Sequence, residues 1–215
     1  MLETIPTRYF WSSKRSNEYE HGLKYSEMKF QDINTSLGTS PSGNFVLLNG
    51  IQTGTTESRR IGNFIDMNFI ASRWFVSGSN KAIASPDDDL VRVLIFIDHQ
   101  CNGTTPVIGD IIQSGGGNIT GHYNDTNVPA RFQILHDETV VLHNTIGIWG
   151  GSVAVYSNGI PRKFGEIILE GSQGVRYRNT GGTISSIGSG ALWQCFVSTG
   201  ITTFSVTTRL RYDDS

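Results

Sequence analysis

At 215 residues the chain fits one large domain or two small ones, and an all-β sandwich of this length is routinely a single domain. Only 17% of the residues are charged, 37% are hydrophobic, and the formal net charge is −2 with an isoelectric point near 6.2, a balance that argues against a compact basic nucleic-acid-binding domain. No apolar run reaches the roughly 18 residues of a membrane span, and residues 1–15 lack the apolar core of a signal peptide, so no membrane partner and a soluble, reducing compartment are expected. Cys101 and Cys195 lie far apart and outside any CxxC or Cys/His cluster, which predicts free thiols. Glycine stands at 25 residues beside many Ser, Thr and Asn, so turn formers are plentiful and helix formers few.

In chain order, residues 1–42 read as an N-terminal arm, partly extended. Their charges alternate in sign, no period of 3.6 or 2 runs through them, and Tyr9, Phe10 and Trp11 suit docking anchors. The folded domain is expected over 43–215. Phe45 to Leu48 is a short strand closed by Asn49-Gly50, a dipeptide that tolerates positive φ. Asn63 to Val76 alternates along a longer strand bent by a bulge. Ser77 to Asp89 is polar and reads as a loop, and Leu90 to Ile97 is a nearly continuous apolar run that belongs in the centre of a sheet, covered on both faces. Pro106 to Gln113 has the i, i+1, i+4, i+5 apolar spacing of a short helix opened by proline.

The Gly- and Asn-rich stretch Ser114 to Pro129 predicts a long exposed loop. Strands are expected at Arg131 to Leu142, Val153 to Tyr156, Phe164 to Leu169, Ala191 to Val197 and Phe204 to Tyr212, with Gly171 to Gly190 as a polar loop. About eight strands with hardly any helix predict an all-β fold, a sandwich or a jelly roll.

The residues carry little that looks catalytic. Gly115-Gly116-Gly117 lacks the Lys-Ser/Thr of a phosphate loop. Asp98-His99 and His136-Asp137 are adjacent pairs, and neighbours on a strand point to opposite faces. His122, His136 and His143 have no metal-ligand spacing, and Asp87-Asp88-Asp89 reads as a solvated acidic turn. No enzyme, metal or cofactor is expected. Basic residues are scattered, but Arg176/Arg178 and Arg209/Arg211 each put two charges on one face of an extended segment, where they could meet phosphates once many copies surround a genome.

An ordered set of segments resembles the capsid proteins of small circular single-stranded DNA viruses (geminivirus- and circovirus-like). It runs from Leu23-Lys-Tyr25 through Leu48-Asn-Gly-Ile51 and Gly54-Thr-Thr-Glu-Ser-Arg-Arg-Ile-Gly62, whose Arg-x-Gly element opens the second long strand. Val91-Arg-Val-Leu-Ile-Phe-Ile-Asp98, Asn102-Gly-Thr-Thr-Pro106, Arg131-Phe-Gln-Ile-Leu-His-Asp137 and Arg209-Leu-Arg-Tyr-Asp213 complete it. The middle of the chain is also similar to satellite necrosis virus coat proteins, which have single-stranded RNA genomes.

The resemblance implies a single eight-stranded antiparallel jelly roll and a homo-oligomeric icosahedral shell. It also implies a virion assembled in the host nucleus or cytoplasm, a host-cell receptor, and a genome on the inner surface. Lys14, Arg15, Lys24, Lys29, Arg59 and Arg60 are the positions to which genome contact carries over. The chain departs from the family in lacking a long Arg-rich arm: Glu3, Glu18, Glu20 and Glu27 offset the few basic residues among the first thirty. A second class, a carbohydrate-binding jelly-roll lectin, would use Trp149 or Trp11 to stack on sugars.

Overall fold

The computed structural model describes residues 8–12, 28–39, 41–78, 88–113, 119–128, 130–143, 146–147, 156–157, 160–200 and 202–214. The strands are β1 (Arg8–Ser12), β2 (Met28–Thr39), β3 (Asn44–Leu47), β4 (Phe64–Ser77), β5 (Asp89–Asp98) and β6 (Phe132–Leu142), followed by the short pair β7 (Ile146–Gly147) and β8 (Tyr156–Ser157). Then come β9 (Arg162–Tyr177), β10 (Ile187–Ser189), β11 (Ala191–Ser198) and β12 (Thr202–Asp214). One helical turn, α1 (Ile108–Ile111), falls inside the predicted 106–113 segment.

Eight of these strands pair as one long hairpin rolled up on itself. The innermost pair is β5 with β6, followed outward by β4 with β9, β3 with β11 and β2 with β12, all antiparallel. Rolling distributes them over two sheets. The larger has the order β1-β9-β4-β12-β2, with β10 also on β9, and the smaller has β3-β11-β5-β6. This is the eight-stranded jelly roll, with β1 and β10 added to one sheet.

The core lies between the sheets. Val91, Val93, Ile95 and Ile97 of β5 are fully buried, and Phe196 of β11 stacks on Phe204 of β12 with ring centroids 4.1 Å apart. Trp74 of β4 meets Phe196 edge-on at 6.4 Å. A polar knot sits inside this apolar layer: Ser72 Oγ donates to Gln194 Oε1 at 3.1 Å, and Thr208 Oγ1 lies 2.9 Å from Ser72 Oγ and 3.1 Å from Gln194 Oε1. Because a partly paired polar group in a core is costly, this knot fixes the alignment of one sheet on the other.

The smaller sheet is buried on its other face as well. Phe45, Phe96, Trp193 and Phe132 form a chain of edge-to-face contacts at 5.5–6.3 Å there. The excursion between β5 and β6 is tied over this face by Arg92, which donates to the carbonyls of Ile119 at 2.8 Å and Gly121 at 2.9 Å while gripping Asp137 through both carboxylate oxygens at 2.8 and 2.6 Å. The described part of the predicted 114–129 loop is therefore partly packed, with Ile119 buried.

Two boundaries differ from the sequence expectation. Residues 28–39 belong to the roll as β2 rather than to an arm ending at 42. As an edge strand, β2 carries little apolar surface: only Lys29 and Thr39 are fully buried, so no alternating hydrophobic pattern marks it. Residues 171–177, expected as loop, continue β9. One glycine that suggested a loop is instead a site of close approach: a side chain at Gly174 would stand 2.8 Å from the Phe64 ring. In the part expected as strand, a side chain at Gly165 would likewise occupy the place of the Trp74 indole. The expected strand at 153–155 lies outside the described residues.

Candidate nucleic-acid interface

The larger sheet buries one face against the core and leaves the other open. Along β12 the alternation is complete: Phe204, Val206, Thr208, Leu210 and Tyr212 point inward, whereas Thr203, Thr207, Arg209 and Arg211 are exposed. On this open face arginines lie over aromatic rings. The Arg209 guanidinium is 4.8 Å from the Phe30 ring centroid, Arg211 is 5.2 Å from Phe69, and Arg162 is 6.0 Å from Phe75. Phe75 and Phe164 pack together at 4.8 Å, and Phe164 is 74% exposed.

The charge on this face is mixed. Arg209 holds Asp32 in a two-pronged pair at 2.7 and 2.6 Å, which keeps the Asp32 carboxyl below its usual range and pushes the guanidinium up. Arg73 pairs with Glu166 at 2.8 Å. The Ser172 hydroxyl donates its one proton to the Asp66 carboxylate, with Oγ 3.0 and 2.8 Å from the two oxygens. Arg211 makes no ion pair among the described residues. The face thus offers stacking planes, hydroxyls and a few guanidiniums in place of a strong positive field. That chemistry suits unpaired bases better than a duplex backbone.

The sequence-predicted contact residues fall in different places. Lys14, Arg15 and Lys24 lie outside the described residues. Lys29 is 2% exposed, and its Nζ donates to the Arg59 carbonyl at 3.0 Å and to Asp214 Oδ2 at 3.1 Å. Arg60 is fully buried beneath Tyr177, with its guanidinium carbon 3.9 Å from the ring centroid. It donates to the carbonyls of Ile51 at 2.9 Å and of Gly62 and Asn179, and to Asn63 Oδ1 at 3.2 Å. Burial lowers the Arg60 pKa, with Tyr177 and Asp214 partly offsetting it.

Lys29 and Arg60 therefore fasten the 51–63 loop to the roll and do not reach outward for a phosphate. Asp214 completes the fastening by accepting from the backbone N–H groups of Ile61 and of Gly62, the latter at 3.3 Å. Of the three described candidates only Arg59 has an exposed side chain, with one long bond to the Thr53 carbonyl at 3.5 Å. The pair Arg209/Arg211 shows its signal in the sequence as i, i+2 spacing; the aromatic rings beneath the arginines come from other strands and give no local signal.

Other candidate chemistry is already paired. Asp98 holds Arg131 at 3.0 and 2.8 Å, and His99 faces Gln133 at 3.0 Å. Among the described residues no cluster of three or more His, Cys, Asp or Glu could hold a metal, and no helix is long and apolar enough to cross a membrane. Cys101 and Cys195 are buried free thiols, and burial pushes both pKa values up. Trp149 lies outside the described residues.

No family model and no curated protein matches the chain. A solved structure described as "Bacillus endospore appendages form a novel family of disulfide-linked pili" aligns over 93% of this chain and 100% of that one, at 9% identity and a TM-score of 0.27. Similarity at that level carries no argument about this chain.

Proposed function

We propose that this chain is a viral coat protein, a jelly-roll subunit that self-assembles into a small icosahedral shell around a single-stranded genome, with circular DNA as the first choice and a satellite-type RNA as the alternative. The jelly roll alone does not decide this, because unrelated functions share it. The observation that carries the reading is the asymmetry of the two sheets. One outer face is sealed by the β5–β6 excursion, and the other is a broad open surface of hydroxyls, arginines and aromatic rings. The ordered sequence resemblance to circular-DNA virus capsids adds to it.

In this reading the open face of the larger sheet looks inward. The exposed Phe164 ring and the flat guanidiniums lying over Phe30, Phe69 and Phe75 offer stacking surfaces to unpaired bases, Arg211 reaches phosphates, and Arg59 adds an exposed charge from the 51–63 loop. Arg209 and Arg73 are partly neutralised by Asp32 and Glu166, so packaging depends only shallowly on charge. Lys14, Arg15 and Lys24 supply the remaining basic groups of the proposal.

Light scattering and negative-stain imaging of the purified chain over a range of salt and pH provide the test. Particles of uniform diameter that protect nucleic acid are expected, and nuclease typing of the extracted material separates DNA from RNA. A strictly monomeric species under all conditions would overturn the proposal.

A further inference from the structure

β1 stands apart from the eight strands of the roll. It pairs with β9 in parallel, from Arg8 opposite Ile168 to Ser12 opposite Ser172, whereas the other pairings of that sheet are antiparallel. Among the described residues it has a strand neighbour on one side only. Without it, the outer edge of β9 would present unpaired backbone groups along Ile168-Leu169, an apolar segment of the kind that recruits other strands.

β2, the next strand in the chain, forms the opposite edge of the same sheet, four strand spacings away. At about 4.8 Å per spacing the crossing is about 19 Å. The end of β1 and the start of β2 lie at the same end of the sheet, since Ser12 is level with Ser172 while Met28 is level with Asp213, Asp66 and Gly174 in turn. Residues 13–27 join them, and a segment of that length reaches up to roughly 50 Å. The connection is more than twice as long as its crossing requires.

A strand joined by a connection of that length and paired to β9 through its backbone meets the same hydrogen bonds on the β9 edge of a second copy as on its own. Exchange between copies keeps every bond and adds a link between subunits. At the high local concentration of an assembly the exchanged arrangement is favoured by reinforcing the subunit contacts already made. We infer that in the assembled state β1 of each copy occupies the β9 edge of a neighbouring copy. The inference rests on the self-assembly proposed above.

Ser12→Cys and Ser172→Cys test it, being small changes at directly opposed positions. Chains carrying only S12C are co-assembled with chains carrying only S172C, oxidised, and run on a non-reducing gel. Covalent dimers of the two different chains are expected, and a chain carrying both changes is expected to form a ladder of multimers. Internally cross-linked monomers from the double variant, with no dimers from the mixture, would overturn the exchange, as would the absence of any cross-link. Phe10→Cys with Glu170→Cys, opposed in the same register, repeats the measurement should the first pair perturb folding.

Imaging the same samples separates the two ideas. Particles with internal cross-links only defeat the exchange and leave the coat-protein reading standing. Cross-chain dimers without particles support the exchange and count against the coat protein.

Discussion

The two sheets of the roll have comparable strands but opposite outer faces. β5 is buried along almost its whole length, because the excursion that follows it folds back and is tied down by Arg92. β12 is buried only at alternate residues, and its free side carries arginine, threonine and serine. Each strand's sequence states its environment: a continuous apolar run means two covered faces, and strict alternation means one. Under the proposed function the contrast assigns genome contact to the larger sheet, whose outer face is the more exposed, and it can be broken or sharpened by experiment.

Removing the clasp of the covered sheet has the largest expected effect. Arg92→Ala orphans the carbonyls of Ile119 and Gly121 and leaves the partly buried Asp137 with Tyr123 alone, and losing these four bonds together costs about 3–5 kcal/mol. For a chain of this size that is a fall of roughly 10 °C in thermal midpoint, read by calorimetry. Next comes Lys29→Ala, which strands Asp214 at the base of the 51–63 loop, where both side chains are nearly inaccessible (2% and 3%). A loss of about 3 kcal/mol in a denaturant titration is expected. Were Lys29 a genome contact alone, this substitution would leave stability untouched.

Acid separates the sheets more gently. Burial raises the Asp137 pKa, but bonds from Arg92 and Tyr123 outweigh it and leave the carboxyl below its ordinary 3.8. The unfolded state therefore takes up that proton first. The stability this pair provides is complete above the ordinary carboxylate range and is lost as pH falls through it towards the folded value. Hydrogen exchange in the 119–128 segment should accelerate over that window before exchange in β12 does. At the alkaline end Tyr123, raised to about 12, stays neutral well beyond the ordinary tyrosine range. The smallest effect on stability is expected from Arg211→Ala, which should leave the unfolding midpoint in place. It should lower the slope of nucleic-acid affinity against salt by about one unit, and an unchanged slope would remove the open face from the genome contact.

Much of the roll was legible because its central strands advertise themselves. The run Leu90 to Ile97 and the alternation of Phe204 to Tyr212 correspond to β5 and β12 nearly residue for residue. What escaped was set by partners distant in the chain. β2 is polar because it is an edge, and β9 holds Gly174 where the Phe64 ring of β4 comes close. Arg59 and Arg60 look alike in the sequence, yet adjacent residues face opposite ways and only Arg60 meets Tyr177 and the Asn179 carbonyl. A pair of adjacent arginines cannot announce which of the two is structural. The rings beneath Arg209 and Arg211 belong to β2 and β4, so that surface exists only after the sheet has formed.

The position of β12 has a consequence for how the protein is made. It is the last of the eight strands of the roll in chain order, and it lies between β4 and β2, bonded to both along its length. Until residues 202–214 have been synthesised, β2 lacks the strand it pairs with among the described residues, and it stays apart from β4 and β9. The smaller sheet, complete at Ser198, can form earlier. Translation therefore withholds the open face until residues 202–214 have been made, well after the smaller sheet has all its strands.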